Sequence, residues 1–118
     1  MSVAEQIITS FPDLDNSQLE AVGDTAGPLL IIAGPGSGKT LVLVVRALNT
    51  LLQELAKPRE MLICTFTEKA AFELRDRISA AAKKINYPGD LSDLLVGTIH
   101  SICNDFLMTY RHLTPLDL

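Results

Sequence analysis

The sequence has few of the residues that build metal centres and disulfide frameworks. Its 118 residues include two cysteines, no tryptophan and 5% aromatic residues. Two cysteines have neither the number nor the spacing of a zinc site or a disulfide scaffold. Because both lie in apolar segments, we expect Cys64 and Cys103 to be buried, reduced thiols.

Long hydrophobic runs and a basic leader are also missing. The longest apolar runs, PLLIIA at 28–33 and LVLVV at 41–45, are far shorter than the roughly 20 residues of a membrane helix. The first eleven residues carry Glu5 and no basic residue, unlike a secretory signal. With 47% hydrophobic and 20% charged residues, the composition predicts one soluble domain over 1–118, located in the cytoplasm without a membrane contact.

Basic residues are absent from the first third of the chain. Five acidic residues and no lysine or arginine precede Lys39, whereas ten basic and nine acidic residues occupy the remainder. The net charge of −4 disfavours strong non-specific binding to nucleic acid. A polyanion is therefore expected to meet the middle and C-terminal parts, although a solvated helix face explains the same basic residues.

Apolar runs and helical periodicities alternate along the chain. Short buried strands of a parallel sheet are predicted at PLLIIA (28–33), MLICT (61–65) and LLVGT (94–98). Helices are predicted at 17–24 (capped by Asn16 or Ser17), 39–56, 67–85 and 99–113. This order predicts an α/β fold in which right-handed crossovers connect parallel strands.

Two of these helices carry apolar stripes, which predict burial. The stripe of 67–85 consists of Ala70, Ala71, Leu74, Ile78, Ala81, Ala82 and Ile85. The stripe of 99–113 consists of Ile99, Ile102, Cys103, Phe106, Leu107 and Tyr110. Phe72 lies roughly opposite the first stripe, so we expect it to be exposed and to contact another protein segment.

A glycine-rich loop joins the first predicted strand to the next helix. Residues 33–40, AGPGSGKT, match the phosphate-binding pattern G-x-x-x-x-G-K-[ST] except for Ala33 at its first position. The glycines let backbone N–H groups turn toward phosphate oxygens, and the following helix directs its positive end there. Lys39 is expected to neutralise the β- and γ-phosphates, and Thr40 to bind Mg²⁺. A glycine-rich turn without a ligand is the alternative.

Together with this loop, three other segments resemble the UvrD/Rep-like branch of superfamily 1 DNA helicases. LDNSQLEAV (14–22) looks like that family's Q motif, whose glutamine reads adenine; here it is Gln18. CTFTEKAAFELRDRI (64–78) is similar to motif Ia and VGTIHSICNDFL (96–107) to motif Ib, which line the single-stranded DNA track. The resemblance implies a P-loop NTPase (RecA-like) fold with a partial parallel sheet and flanking helices.

The resemblance also implies two sets of site residues. ATP is expected to contact Gln18, Gly34, Pro35, Gly36, Ser37, Gly38, Lys39, Thr40 and Leu41, with Lys39 and Thr40 catalytic and Thr40 on Mg²⁺. Single-stranded DNA is expected to contact Thr65, Phe66, Thr67, Lys69, Thr98, His100 and Ser101.

Physical chemistry supports these roles but leaves alternatives. The amide of Gln18 suits N6 and N7 of adenine, although surface glutamines are common. Phe66 follows a strand at the carboxyl edge of the sheet and could stack on a base, although core packing is the commoner role of such a residue. Thr98, His100 and Ser101 open a helix whose N–H groups suit a phosphate, or else Thr98 is simply an N-cap and His100 a solvated residue.

Three positions depart from the family pattern. Leu41 stands where arginine is common beside the nucleotide, Phe72 where arginine is common, and Glu68 where asparagine is usual. A carboxylate at 68 is unfavourable near a DNA backbone unless Lys69 offsets it.

The acidic pair that positions Mg²⁺ and water in this class has no counterpart, since only Asp105 and Asp117 follow Ser101. We therefore expect an N-terminal part of a helicase ATP-binding domain, without Walker B and the second lobe. Such a part binds Mg-ATP weakly, hydrolyses essentially none, and has the remainder of the helicase and single-stranded DNA as partners. A self-contained P-loop kinase or nucleotide-dependent regulator, and an interaction module that uses no nucleotide, are the alternatives.

Overall fold

A computed structural model describes residues 2–34, 38–113 and 115 of the chain. Across these ranges the elements in order are α1 (Val3–Ser10), α2 (Asn16–Gly23), α3 (Lys39–Leu52), β1 (Leu62–Thr65), α4 (Glu68–Lys84), β2 (Leu95–Thr98) and α5 (Ile99–Thr109). Short 3-10 helices span Pro58–Glu60 and Arg111–Leu113. The chain is thus a mixed α/β protein, as predicted, and none of its described helices is long and apolar enough to cross a membrane.

The β1–α4–β2 unit forms as the sequence pattern predicts. The two strands are parallel and pair in register from Leu62 with Leu95 to Thr65 with Thr98. Thr67 caps α4, because its hydroxyl accepts a hydrogen bond from the backbone N–H of Ala70 at 3.1 Å. The predicted stripe of α4 is buried except for the half-buried Ala70, and α4 packs against both strands and α3.

The strand predicted at 28–33 is wrong. The structure describes this whole segment as irregular backbone, and its side chains are largely exposed, with Leu30 at 82% and Ile32 at 88%. A strand requires a neighbour to complete its ladder. In the described residues β1 and β2 pair with each other alone, so the apolar run is not hydrogen-bonded into the sheet.

The burial predicted for the last helix is also wrong. All six residues of its predicted stripe are described, and Ile102 alone is buried. Helix α5 touches β1 and β2 along a narrow face, and it ends at Thr109 rather than at 113. Periodicity shows which face of a helix is apolar, whereas burial depends on another element covering that face.

Both cysteines are exposed, which corrects the prediction of buried thiols. In β1, alternation directs Ile63 into the core and Cys64 out of it. Cys103 lies on the uncovered part of α5. An apolar neighbourhood in sequence therefore did not predict the direction of either side chain.

Local capping accounts for two differences near the N-terminus. Helix α1, which the sequence analysis did not predict, begins at a capping box in which Ser2 and Glu5 bond each other's backbone N–H. Helix α2 is capped by Asp15 rather than by Asn16 or Ser17. Asp15 can do so because its carboxylate accepts from the N–H of Gln18 at 2.9 Å.

Helix α3 lies at the centre of the core. Val45 and Leu48 are fully buried, and α3 packs against α1, α2 and α4. The helix ends at Leu52 instead of 56. The left-handed backbone of Glu54, with φ of 57°, explains this earlier end, since a right-handed helix cannot continue through such a residue.

Two side chains of α3 hold the end of α2. The buried Asn49 donates from Nδ2 to the carbonyl oxygen of Val22 at 3.1 Å. Arg46 donates from NH2 to the carbonyl oxygen of Asp24 at 2.9 Å. These bonds satisfy carbonyls that the last turn of α2 leaves without intrahelical partners, and they hold the end of α2 against the second half of α3.

Asn49→Ala is expected to lower the free energy of unfolding by about 1–3 kcal/mol, because the carbonyl of Val22 is left buried without its partner. Gln53→Ala is the matched control: Gln53 donates to Asn49 at 2.8 Å but is exposed, so its loss is expected to cost under about 1 kcal/mol. Urea unfolding of the three proteins measures the difference. Equal losses for the two variants would contradict this role of Asn49.

Candidate nucleotide and nucleic-acid site

The end of the glycine-rich loop has the backbone that its sequence predicts. Gly38 is the N-cap of α3 and has φ of 82°, a conformation that side chains disfavour. Lys39 and Thr40 lie in the exposed first turn of α3, a position whose N–H groups have no acceptor within the helix and suit an anion. Residues 35–37 of the predicted set, Pro35, Gly36 and Ser37, lie outside the described residues.

Gln18 reaches this loop from the neighbouring helix. Its Oε1 accepts a hydrogen bond from the N–H of Asp15 at 2.9 Å, and this bond orients the side chain. A β-carbon built on Gly38 would lie 2.7 Å from Nε2 of Gln18, so a side chain at position 38 would displace the amide of Gln18. The structure therefore brings the predicted adenine-reading residue against the predicted phosphate loop.

Leu41 packs on the core and lines a cleft beside it. It is half-buried and packs against the main hydrophobic cluster, and it lines a cleft that also includes Phe11, Arg77 and Lys84. The ammonium of Lys84 lies 5.2 Å from the centroid of the Phe11 ring, within the range of a cation–π contact. Packing explains a leucine at position 41, and its contact with nucleotide stays a prediction.

The carboxyl edge of the sheet brings the two predicted DNA-contacting segments together. Because Thr65 pairs with Thr98, the residues that follow each strand begin side by side. Phe66 is 88% exposed, so it is not a core residue. Lys69 is exposed in the first turn of α4. An aromatic face and a cation are therefore available to a ligand at this edge.

The start of α5 is held by its own hydroxyl groups. Thr98 is 5% exposed, and its Oγ1 accepts from the N–H of Ser101 at 3.0 Å. The Ser101 hydroxyl donates to the carbonyl oxygen of Thr98 at 3.1 Å, and His100 is exposed. Thr98 is thus an N-cap, whereas contacts of these three residues with DNA stay predictions.

A contact that the sequence analysis did not anticipate lies between the two helix starts. The hydroxyl of Thr98 lies 3.4 Å from Oε1 of Glu68, so the starts of α4 and α5 meet at Glu68. The sequence separation of 30 between these residues explains why no local pattern indicated this contact. It arises from the parallel pairing that aligns the ends of β1 and β2.

The predicted nucleotide side and the predicted DNA side share one small cleft. Thr40 at the start of α3 and Thr65 at the end of β1 both line it, together with Cys64 and Arg77. In the part of the chain that the structure describes, no group of three or more His, Cys, Asp or Glu residues could hold a metal ion.

An acidic residue with a perturbed pKa lies in the loop before β2, at the opposite edge of the sheet. The backbone N–H and the hydroxyl of Ser92 donate to the carboxylate of Asp90 and lower its pKa. Asp90 is fully exposed. This shift therefore reflects a local turn and contributes nothing to the candidate site.

Most of this chain is similar in sequence to known proteins. Residues 14–116 match the UvrD/REP helicase N-terminal domain. The ATP-dependent DNA helicase SRS2 of Saccharomyces cerevisiae is 40% identical over 96 residues, which cover 81% of this chain and 8% of that protein. The ATP-dependent DNA helicase PcrA of Bacillus subtilis is 42% identical over 90 residues, 76% of this chain and 12% of that protein.

A third relative, the DNA helicase II of Rickettsia typhi, is 42% identical over 94 residues, which cover 80% of this chain and 13% of that protein. The chain thus spans about a tenth of the length of these curated relatives. Since the family match extends over nearly all of the chain, the chain belongs to the UvrD/REP helicase N-terminal domain family.

Proposed function

We propose that this chain is the ATP- and single-stranded-DNA-binding N-terminal segment of an ATP-dependent DNA helicase. The full-length protein would couple ATP hydrolysis to movement along a strand and to unwinding. The fold would be that of a RecA-like P-loop domain, with the phosphate loop at the carboxyl edge of its parallel sheet. The relatives are named ATP-dependent DNA helicases, which supports this class of activity.

The contact between Gln18 and Gly38 carries the nucleotide part of the proposal. Because Oε1 of Gln18 is already oriented by Asp15, the amide is preorganised to accept from N6 and donate to N7 of adenine. The absence of a side chain at Gly38 lets Nε2 of that amide lie directly against the loop backbone. A single ATP molecule could thereby contact the Gln18 amide through its adenine and the glycine-rich loop through its phosphates.

Phosphate and magnesium binding would fall to the first turn of α3. Lys39 offers an exposed cation for the β- and γ-phosphates, and Thr40 offers a hydroxyl for Mg²⁺. The left-handed Gly38 immediately before them fits a loop whose N–H groups surround an anion. Bound Mg²⁺ would neutralise phosphate charge, and carboxylates elsewhere in the full-length protein would orient the attacking water.

Single-stranded DNA would bind along the carboxyl edge of the sheet. Phe66 offers a face on which a base can stack, while Lys69, His100 and the N-terminus of α5 offer groups for the backbone. The net charge of −4 predicts weak affinity for this segment alone. Strong binding would therefore depend on the remainder of the protein.

Calorimetric titration with ATP and with GTP, each with Mg²⁺, tests the nucleotide part. ATP is expected to bind about tenfold more tightly or better, because guanine presents O6 to the carbonyl oxygen of Gln18 and loses one bond of the pair. Gln18→Ala is expected to abolish the preference, since it removes the carbonyl oxygen that accepts from adenine N6 and disfavours guanine O6. Equal affinities of the unaltered protein for both nucleotides would contradict the assignment of Gln18.

A further inference from the structure

Glu68 occupies the point where the helices after the two strands begin. It is the first residue of α4, and its Oε1 lies 3.4 Å from the hydroxyl of Thr98, the N-cap of α5. The carboxylate therefore stands near two helix N-termini at once. Each N-terminus carries partial positive charge that stabilises an anion.

A DNA phosphate would bind at the same position, near the N-termini of α4 and α5. Backbone N–H groups at helix N-termini are common phosphate partners, and the exposed Lys69 and His100 flank this point in sequence. A phosphate and the Glu68 carboxylate both carry negative charge, so they repel each other and compete for the same partial charges.

The contact between Glu68 and the Thr98 hydroxyl is weak enough for a phosphate to displace. Thr98 has one hydroxyl hydrogen, and the hydroxyl oxygen of Ser101, at 2.9 Å, is a nearer acceptor than Glu68. Glu68 itself is exposed, so its carboxylate can move into water without burying a charge. Removal of the contact leaves Thr98 hydrogen-bonded to Ser101.

We propose that Glu68 is an affinity-setting residue of the DNA site. Its carboxylate occupies the position that a DNA phosphate would take, so the phosphate must displace it. Glu68 thereby lowers the affinity for single-stranded DNA and speeds release of the strand. The inference rests on the proposed function, because it requires DNA to bind at this edge. It goes beyond that function by giving a role to a residue outside the predicted contact set.

The test compares Glu68→Gln with the unaltered full-length protein by fluorescence anisotropy of a labelled oligo(dT). The glutamine keeps the size of the side chain and one acceptor oxygen for Thr98, and it removes the charge. Affinity is expected to rise about fivefold at low salt, the effect of one like charge a few ångströms from a phosphate in water. The gain is expected to shrink at high salt, where screening removes it.

Asp76→Asn is the matched control, since it makes the same charge change on an exposed residue eight positions further along α4, about 12 Å away. Its affinity is expected to stay within about twofold of the unaltered protein. The inference is wrong if Glu68→Gln binds no more tightly, or if Asp76→Asn gains as much. Failure of the unaltered protein to bind DNA would overturn the proposed function itself.

Discussion

Lys39→Ala is expected to weaken ATP binding by about a hundredfold or more. The ammonium would make charge-assisted contacts with two phosphates, and each such bond contributes about 1.5–3 kcal/mol. Because Lys39 is exposed and caps nothing in the structure, its removal is expected to leave the melting temperature nearly unchanged. Calorimetric titration with Mg-ATP, together with thermal unfolding, measures both quantities.

Lys69→Ala is the control for this experiment. Lys69 is also an exposed lysine in the first turn of a helix, but it follows β1 and belongs to the predicted DNA set. Its removal is expected to leave ATP affinity within about twofold, because it would not contact the nucleotide. An affinity of Lys39→Ala within about threefold of the unaltered protein would show that the loop does not bind phosphate in the way proposed.

Phe66→Ala has the second large expected effect, a loss of about 1–3 kcal/mol of single-stranded DNA binding from the lost stacking on one base. That loss corresponds to roughly five- to 150-fold in affinity. Stacking releases no counterions, so the loss is expected to be similar at low and high salt. The measurement is anisotropy of a labelled oligo(dT) bound to the full-length protein, over a range of salt concentrations.

Phe72→Ala separates a DNA contact from a general effect of losing an exposed ring. Phe72 is 63% exposed, and the guanidinium carbon of Arg75 lies 5.6 Å from the centroid of the Phe72 ring. Phe72 is outside the predicted set of DNA-contacting residues. We expect DNA affinity to survive its removal and to fall only for Phe66→Ala. If Phe66→Ala binds DNA normally, or melts many degrees lower, the assignment of this segment to a DNA track is wrong.

Elements determined by local sequence were predictable. Helix α4 has its capping threonine, its apolar stripe and its end within 19 residues, so the pattern predicted its bounds. The strands β1 and β2 flank it, and a strand–helix–strand order favours parallel pairing. The capping box of Ser2 and Glu5 was equally local, and a search for that signal would have identified α1.

Elements that depend on a neighbour were not predictable in the same way. The run at 28–33 is apolar enough for a buried strand, but strand formation and burial need a partner at its sides. The outer face of α5 has the right period but nothing in the described residues covers it. Cys64 and Cys103 were assigned to the core for the same reason, since each lies in an apolar segment.

For the candidate site, the residue types were predictable and their contacts were not. The pattern of 33–40 indicated a phosphate loop, and the resemblance indicated Gln18, but their approach at Gly38 depends on how α2 packs on α3. The exposure of Phe66 required the structure, since residues after buried strands are often core. The Glu68–Thr98 contact spans two elements, so it appears only once the strands are paired.

Phosphate release from ATP by the full-length protein, with and without oligo(dT), distinguishes a DNA helicase from a P-loop kinase. We expect hydrolysis to require Mg²⁺ and to rise severalfold or more with single-stranded DNA, and we expect Lys39→Ala to remove both the basal and the stimulated rate. Hydrolysis that oligo(dT) leaves unchanged would show that the protein is not a DNA helicase of this kind, and so would transfer of the phosphate to a small-molecule acceptor, the reaction of a P-loop kinase.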